Sequence, residues 1–274
     1  MLTVIGLDLA WTQKRNTGIC IAQFDDDGSG CLLELSAQPG TPCEFAELAA
    51  AFDGDVLVAV DAPLVVGTGR TCDHALARRY GVAKASPFTA TPEFLENMKG
   101  MAGPDLQRQL VNAGFRHSLP ATERPSRCFI EVFPHTSHVS LFDLPERILY
   151  KKGRIAVRQS GMSDYQGYLR TMLEKHWPWA IEDPAVQTAL STESSRHRGK
   201  NLKHIEDQLD ALTCAFTAWL VSTHGLSGCE LFGDEEQGMI VVPIWPHGFA
   251  PIKRGLARIS RHSHALIPSA NSQS

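Results

Sequence analysis

The seven cysteines of this chain (20, 31, 43, 72, 128, 214 and 229) include no C-x-x-C pair. That excludes the common zinc cages, and an odd, scattered set also excludes a disulfide framework. Reduced thiols in a cytoplasmic protein are the expectation. Cys72, His74, His135 and His138 contain no tight ligand pair matched by a second, so structural zinc is not expected. There is no run of about 18 apolar residues of the kind that spans a bilayer. The first residues enter a strand-like segment directly, without the charged and apolar regions of a signal peptide. Positive charge is not in excess either: 26 Lys and Arg stand against 30 Asp and Glu, a formal charge of −4. A broadly basic surface that coats nucleic acid is thereby excluded, while a local basic groove beside an acidic site is not. Gly67-Thr68-Gly69 lacks the lysine of a phosphate-binding P-loop.

What is present is a chain of 274 residues, 43% hydrophobic, enough to bury a large core. Residues 3–10 and Thr17 to Phe24 are short apolar runs rich in β-formers. After the turn cluster Asp25-Asp26-Asp27-Gly28-Ser29-Gly30, Cys31 to Leu35 follows as a third strand, predicting an antiparallel meander. Pro42 marks a helix start, Gly54 follows the helix, and Val56 to Val60 is a fourth strand, parallel to an earlier one. Residues 64–126 lose this regularity and read as an insertion above the sheet ends, with a helix from Leu106 to Ala113. Cys128 to Phe133 is the fifth strand. The strongest helix runs from His204 to about Ser222, with Ile205, Leu209, Leu212, Phe216 and Leu220 on its core face. Met239 to Ile244 reads as an edge strand, because Pro243 discourages a central place. The expectation is one α/β domain over 1–250 and a basic, disordered tail over 251–274.

Three apolar strands each carry one carboxylate: Asp8, Asp61 and Glu131. An ionised carboxylate in such surroundings is costly unless paired, hydrogen-bonded or bound to metal. Asp8 and Asp61 stand at or near the ends of their runs, where the carboxyl ends of parallel strands place ligands. The late helix adds Asp207 and Asp210, three residues apart on nearby faces. Each has a plainer reading: a strand-end cap, a carboxylate on a solvent-facing edge, or an acid complementing a helix dipole, with Lys203 as partner for Asp207. Convergent hard oxygen ligands suit Mg2+ or Mn2+ far better than zinc, and two such ions would support hydrolysis of a phosphodiester. A shared site requires these carboxylates within about 4–7 Å of one another.

The segments VIGLDLAW (4–11), VLVAVDAPL (56–64), CFIEVFPH (128–135) and HIEDQLDALTCAFTAWL (204–220) together resemble the RNase H-like superfamily. More narrowly, they resemble the family called domain of unknown function 429, described as predicted nucleases of that fold. The resemblance implies a five-stranded mixed sheet flanked by helices, three antiparallel strands continued by two parallel ones. It also implies a nuclease site with Asp8, Asp61 and Asp210 as metal ligands and Asp207 as a fourth or a substitute. Glu131, within the narrower family's pattern, joins the catalytic set, whether as a ligand or as a residue ordering its strand.

Arg196, Arg198, Lys200 and Lys203 gather just before the acidic helix and are candidates for holding substrate phosphates. Arg70, Arg78 and Arg79 are a second such group. The expected partner is therefore nucleic acid and the expected cofactor Mg2+ or Mn2+. Two other functions fit the same sheet. A nucleotide-binding ATPase or phosphotransferase of the actin, heat-shock-chaperone and sugar-kinase type would use VIGLDLAW as its first phosphate motif. Asp61, however, is followed by Ala62-Pro63 where a flexible glycine loop is needed. A non-catalytic binding module is the third, which the retained acids oppose.

Overall fold

The computed structural model describes residues 1–12, 15–67, 69–119, 126–197 and 199–244. The predicted tail at 251–274 lies outside them. The meander forms as expected: β1 (Leu2–Asp8), β2 (Thr17–Phe24) and β3 (Gly30–Gln38) pair antiparallel, with Asp8 opposite Gly18. Helix α1 (Pro42–Ala50) starts at Thr41, whose hydroxyl accepts from the Glu44 N–H while the Glu44 carboxylate accepts from the Thr41 N–H. This reciprocal cap follows from the T-x-x-E spacing, with proline at the first helical position. The chain then enters β4 (Asp55–Val60), which pairs parallel to β1.

The segment 64–126 holds α2 (Cys72–Tyr80), α3 (Pro92–Met98), α4 (Ala102–Asn112) and the two-residue strand β5 (Arg116–His117). Leu106 and Leu110 of α4 join the core beneath the sheet, so part of this segment covers a sheet face. Strand β6 (Arg127–Val132) runs parallel to β4. Four helices follow: α5 (Pro134–Leu141), α6 (Ile155–His176), α7 (Pro178–Ile181) and α8 (Pro184–Ser191). The long α9 (Lys200–His224) precedes β7 (Cys229–Asp234) and β8 (Gly238–Pro243).

Among the described residues the sheet has eight strands, in the order β3-β2-β1-β4-β6-β8-β7 with β5 beside β6, correcting the expected five. Strands β5 and β8 share one edge of β6, pairing at Cys128–Phe129 and at Glu131–Val132 respectively. Strand β8 is interior rather than an edge: every residue is buried and β7 forms the outer strand. Pro243 is tolerated because it is the last residue of the strand, where the ladder ends.

Side chains alternate between two cores, as the two-residue period of a strand demands. Val4, Leu57, Ala59, Cys128, Ile130 and Val132 face α5, α6, α8 and α9. Ile5, Leu7, Val56, Val58, Val60 and Phe129 face α1 and α4. Helix α9 is buried along nearly its whole length. It rests directly on backbone: a Cβ at Gly6 would overlap the Ala211 carbonyl oxygen and the Ala215 nitrogen, and one at Gly18 the Asp207 carbonyl.

Candidate metal centre

The same alternation aims the acids. Asp8 shares a face with Val4 and Gly6, and Asp61 with Leu57 and Ala59, which is the face α9 covers. Asp61 immediately follows β4, and its N–H donates to the Leu7 carbonyl at 2.8 Å, carrying the parallel register one residue further. Because α9 lies on Gly6 and Gly18, Asp210 is brought down onto the ends of both strands. Asp8, Asp61 and Asp210 each offer a carboxylate oxygen within 4.8 Å of the others. That lies inside the separation a shared cation requires.

Asp210 is fully buried, and its Oδ1 accepts hydrogen bonds from the hydroxyls of Tyr150 (2.8 Å) and Tyr165 (3.1 Å). Its Oδ2 is paired with the Lys151 ammonium at 2.7 Å. Lys151 also lies 3.5 Å from Asp61. Asp8 Oδ2 accepts no hydrogen bond, with the Lys203 ammonium 3.8 Å away. Lys203 pairs with Glu206 at 2.8 Å and with Asp207 one helical turn on. Asp207 is thus both a partner of Lys203 and a hydrogen-bond neighbour of Asp8.

Four aspartates sharing two ammonium groups out of water cannot all ionise freely. Burial pushes Asp61 up to about 8, against Lys151 and helped by Asp8 and Asp210. Burial and then Asp8 push Asp207 up to about 8, and burial raises Asp210 to about 6. Burial raises Asp8 too, but Lys151 and Lys203, with hydrogen bonds from Asp207 and Asp61, hold it below the ordinary carboxylate range. Burial would lower Lys151, yet Asp210, Asp8 and Asp61 keep it charged.

The sign of the cluster's own pH dependence follows from these shifts. With folded values above the unfolded ones, Asp61 and Asp207 hold protons in the native chain that the unfolded chain has released between pH 4 and 8. The cluster's contribution to the stability of the metal-free protein should therefore fall as pH rises through that window, opposed below about pH 6.5 by His135, His138 and His176, which burial keeps neutral. Urea midpoints of wild type and Asp61→Asn at pH 5.5 and 7.5 in chelator check this: the variant should lose less stability, or gain more, than wild type between the two pH values, and an equal change in both would contradict it.

Glu131 is not part of this cluster. It pairs in register with Val60, one residue short of Asp61, and therefore points to the opposite face with Phe129. There it accepts from Arg70 Nη2 (2.6 Å), Arg70 Nη1 (3.0 Å) and the Leu64 N–H (3.0 Å). Arg70 is also bound by Asp73, so the predicted phosphate-binding role of this arginine gives way to a buried ion pair. Of the other basic candidates, Lys203 reaches the cluster, Arg196 pairs with Glu193 at the surface, and Lys200 is exposed. Arg198 lies outside the described residues. Sequence reading missed Tyr150, Lys151, Tyr165 and Glu206. The tyrosines and Lys151 come from 142–168, and Lys151 sits in an irregular link without periodicity. Glu206 was legible as one of three acids within five residues of α9.

Over residues 6–236 the chain matches the family described as Protein of unknown function (DUF429). It belongs to that family. No curated protein and no solved structure matches the chain. For a DUF429 member the activity must therefore be read from the site itself. No helix among the described residues is long and apolar enough to cross a membrane.

Proposed function

We propose that this DUF429 protein is a metal-dependent nuclease that hydrolyses phosphodiester bonds with Mg2+ or Mn2+. Asp8, Asp61 and Asp210 would hold the metal, with Asp207 as a fourth acid. The observation that carries this reading is the convergence of three carboxylates within 4.8 Å, from two strand ends and a buried helix. The donor set fits: hard oxygens only, with Asp8 Oδ2 buried without a hydrogen bond and Asp210 Oδ2 held only by a lysine that a cation would replace. Five of the strands, β3-β2-β1-β4-β6, also follow the arrangement of antiparallel strands continued by parallel ones that the RNase H-like resemblance implies.

When bound, such an ion activates water and neutralises charge on the leaving oxygen. The chain's own residues supply the rest. Tyr150 and Tyr165 fix the Asp210 carboxyl through one oxygen, and the other, paired with Lys151 in the metal-free chain, would pass to the metal. Lys151 and Lys203 balance the acids in the metal-free chain. Lys203, whose side chain is 45% exposed, can turn outward toward a substrate phosphate. Burial of Asp8, Asp207 and Asp210 keeps most water away from them, which strengthens each charge interaction within the cluster.

The test is a cleavage panel of single- and double-stranded DNA, RNA and hybrids, each with Mg2+, Mn2+ or chelator. Cleavage with either metal and none in chelator is the expected result. Strong thermal stabilisation by ATP without cleavage of any polynucleotide would replace this reading with the ATPase one.

A further inference from the structure

Asp61 is a wall shared by the acid cluster and a neighbouring cleft of about 70 Å³. Four aromatic rings, Trp11, Phe88, Phe94 and Phe133, line that cleft beside the ion-paired Arg70, Asp73 and Glu131. Phe88 and Phe94 stack with centroids 6.0 Å apart and planes 28° apart, and Trp11 meets Phe94 edge-on at 6.2 Å. Phe88 is 61% exposed, an unusual position for a large apolar ring. The Lys152 ammonium lies 4.6 Å from its centroid. Lys152 directly follows Lys151, which ion-pairs with Asp61 and Asp210, so a cationic rim joins the aromatic cleft to the acids.

We infer that this cleft is a base-binding subsite, taking an unpaired nucleobase of the nucleotide beside the phosphate under attack. The inference rests on the nuclease reading and adds the substrate class: single-stranded or frayed polynucleotide rather than continuous duplex. Three physical features favour that occupant over another apolar one. Flat rings present the π-faces on which bases stack without regard to sequence. Lys151 and Lys152 supply positive charge on the side where the nucleotide's phosphate must lie. Asp61 joins that phosphate's position to the acid cluster, so base and phosphate of one nucleotide meet complementary surfaces together. A base inside a duplex is already stacked on both faces and must be extruded first.

The test uses the full chain with Ca2+ in place of Mg2+, a hard cation accepted by the same oxygen ligands. Fluorescence polarisation compares a labelled single-stranded oligonucleotide, an equally long strand made wholly of abasic sites, a blunt duplex, and ATP as competitor. Phe88→Ala should weaken the base-bearing strand by about tenfold or more, the loss of one base–aromatic stack, and leave the abasic strand unchanged. Phe88→Trp should keep the affinity, and Trp11→Ala should repeat the selective loss. Equal effects on base-bearing and abasic strands, or none on either, overturn the subsite even if cleavage persists. Duplex bound as tightly as single strand also overturns it. If the wild-type chain binds no polynucleotide at all, or binds ATP alone, the nuclease reading falls and takes the subsite with it.

Discussion

Asp8→Asn should reduce Mg2+- or Mn2+-supported cleavage by at least about a hundredfold, beyond the ~10–100-fold lost with a mere outer partner of a metal ligand. Asp8 is the acid of the cluster held most firmly ionised, since Lys151 and Lys203 outweigh its burial. An amide of the same shape removes the charge and one ligand oxygen while leaving the packing intact. Fold stability should fall modestly, because the attraction to the two lysines and the hydrogen bonds from the protonated Asp61 and Asp207 are weakened while only the repulsion from Asp210 is relieved. Metal binding gives a second readout: at one hundred times its dissociation constant an ion stabilises the native state by about 2.7 kcal/mol. The wild-type melting temperature should rise with Mn2+, and that of Asp8→Asn should not. A folded variant that cleaves as fast as wild type would remove Asp8 from the mechanism.

Arg70→Leu should cost about 3–5 kcal/mol of stability, the penalty for leaving buried charge without its partner. The guanidinium donates from Nε (2.9 Å) and Nη2 (2.8 Å) to Asp73, from both terminal nitrogens to Glu131, and from Nη1 to the Val65 carbonyl at 2.9 Å. It thereby ties β6 to α2 and to the chain leaving β4. Burial already raises Glu131, with Arg70 as the main opposing influence. Without the arginine its folded value should climb further above the unfolded one. The native variant would then hold protons the unfolded chain has lost, so its stability should recover as pH falls toward the ordinary carboxylate range. Urea midpoints at pH 5.0 and 7.5 measure both effects. A loss below about 1 kcal/mol at pH 7.5 would show that Asp73 and Glu131 are better solvated than their burial implies.

Much of the sheet could be read from residues alone. The runs at 3–8, 17–24, 56–60 and 128–132 are apolar because both faces of the sheet are covered, and such runs read as strands without alternation. Strand β7, CELFGD, stayed hidden: half of it is exposed, Gly233 interrupts it, and it follows a long helix that masks its start. The site divided in the same way. Asp8, Asp61 and Asp210 were visible as acids in apolar company. Glu131 looked equivalent to them, yet parity separates it, since it stands level with Val60 and not with Asp61. Counting twos along two neighbouring strands would have shown this, given the register. Lys151 could not be placed, because its position depends on how an irregular link returns across the sheet ends.

The two glycines under α9 have a mechanical consequence. Gly6 and Gly18 let α9 sit on strand backbone at Asp207, Ala211 and Ala215, with no strand side chain between them. The gap between the acid on the helix and the acids on the strands is therefore set by main-chain contact, which cannot be compressed and has no rotamers to relax. To widen it, the whole helix must lift from the sheet. Residues that carry no functional group at all thus act as the calliper of this centre, and even a methyl group at either one would reset its jaws.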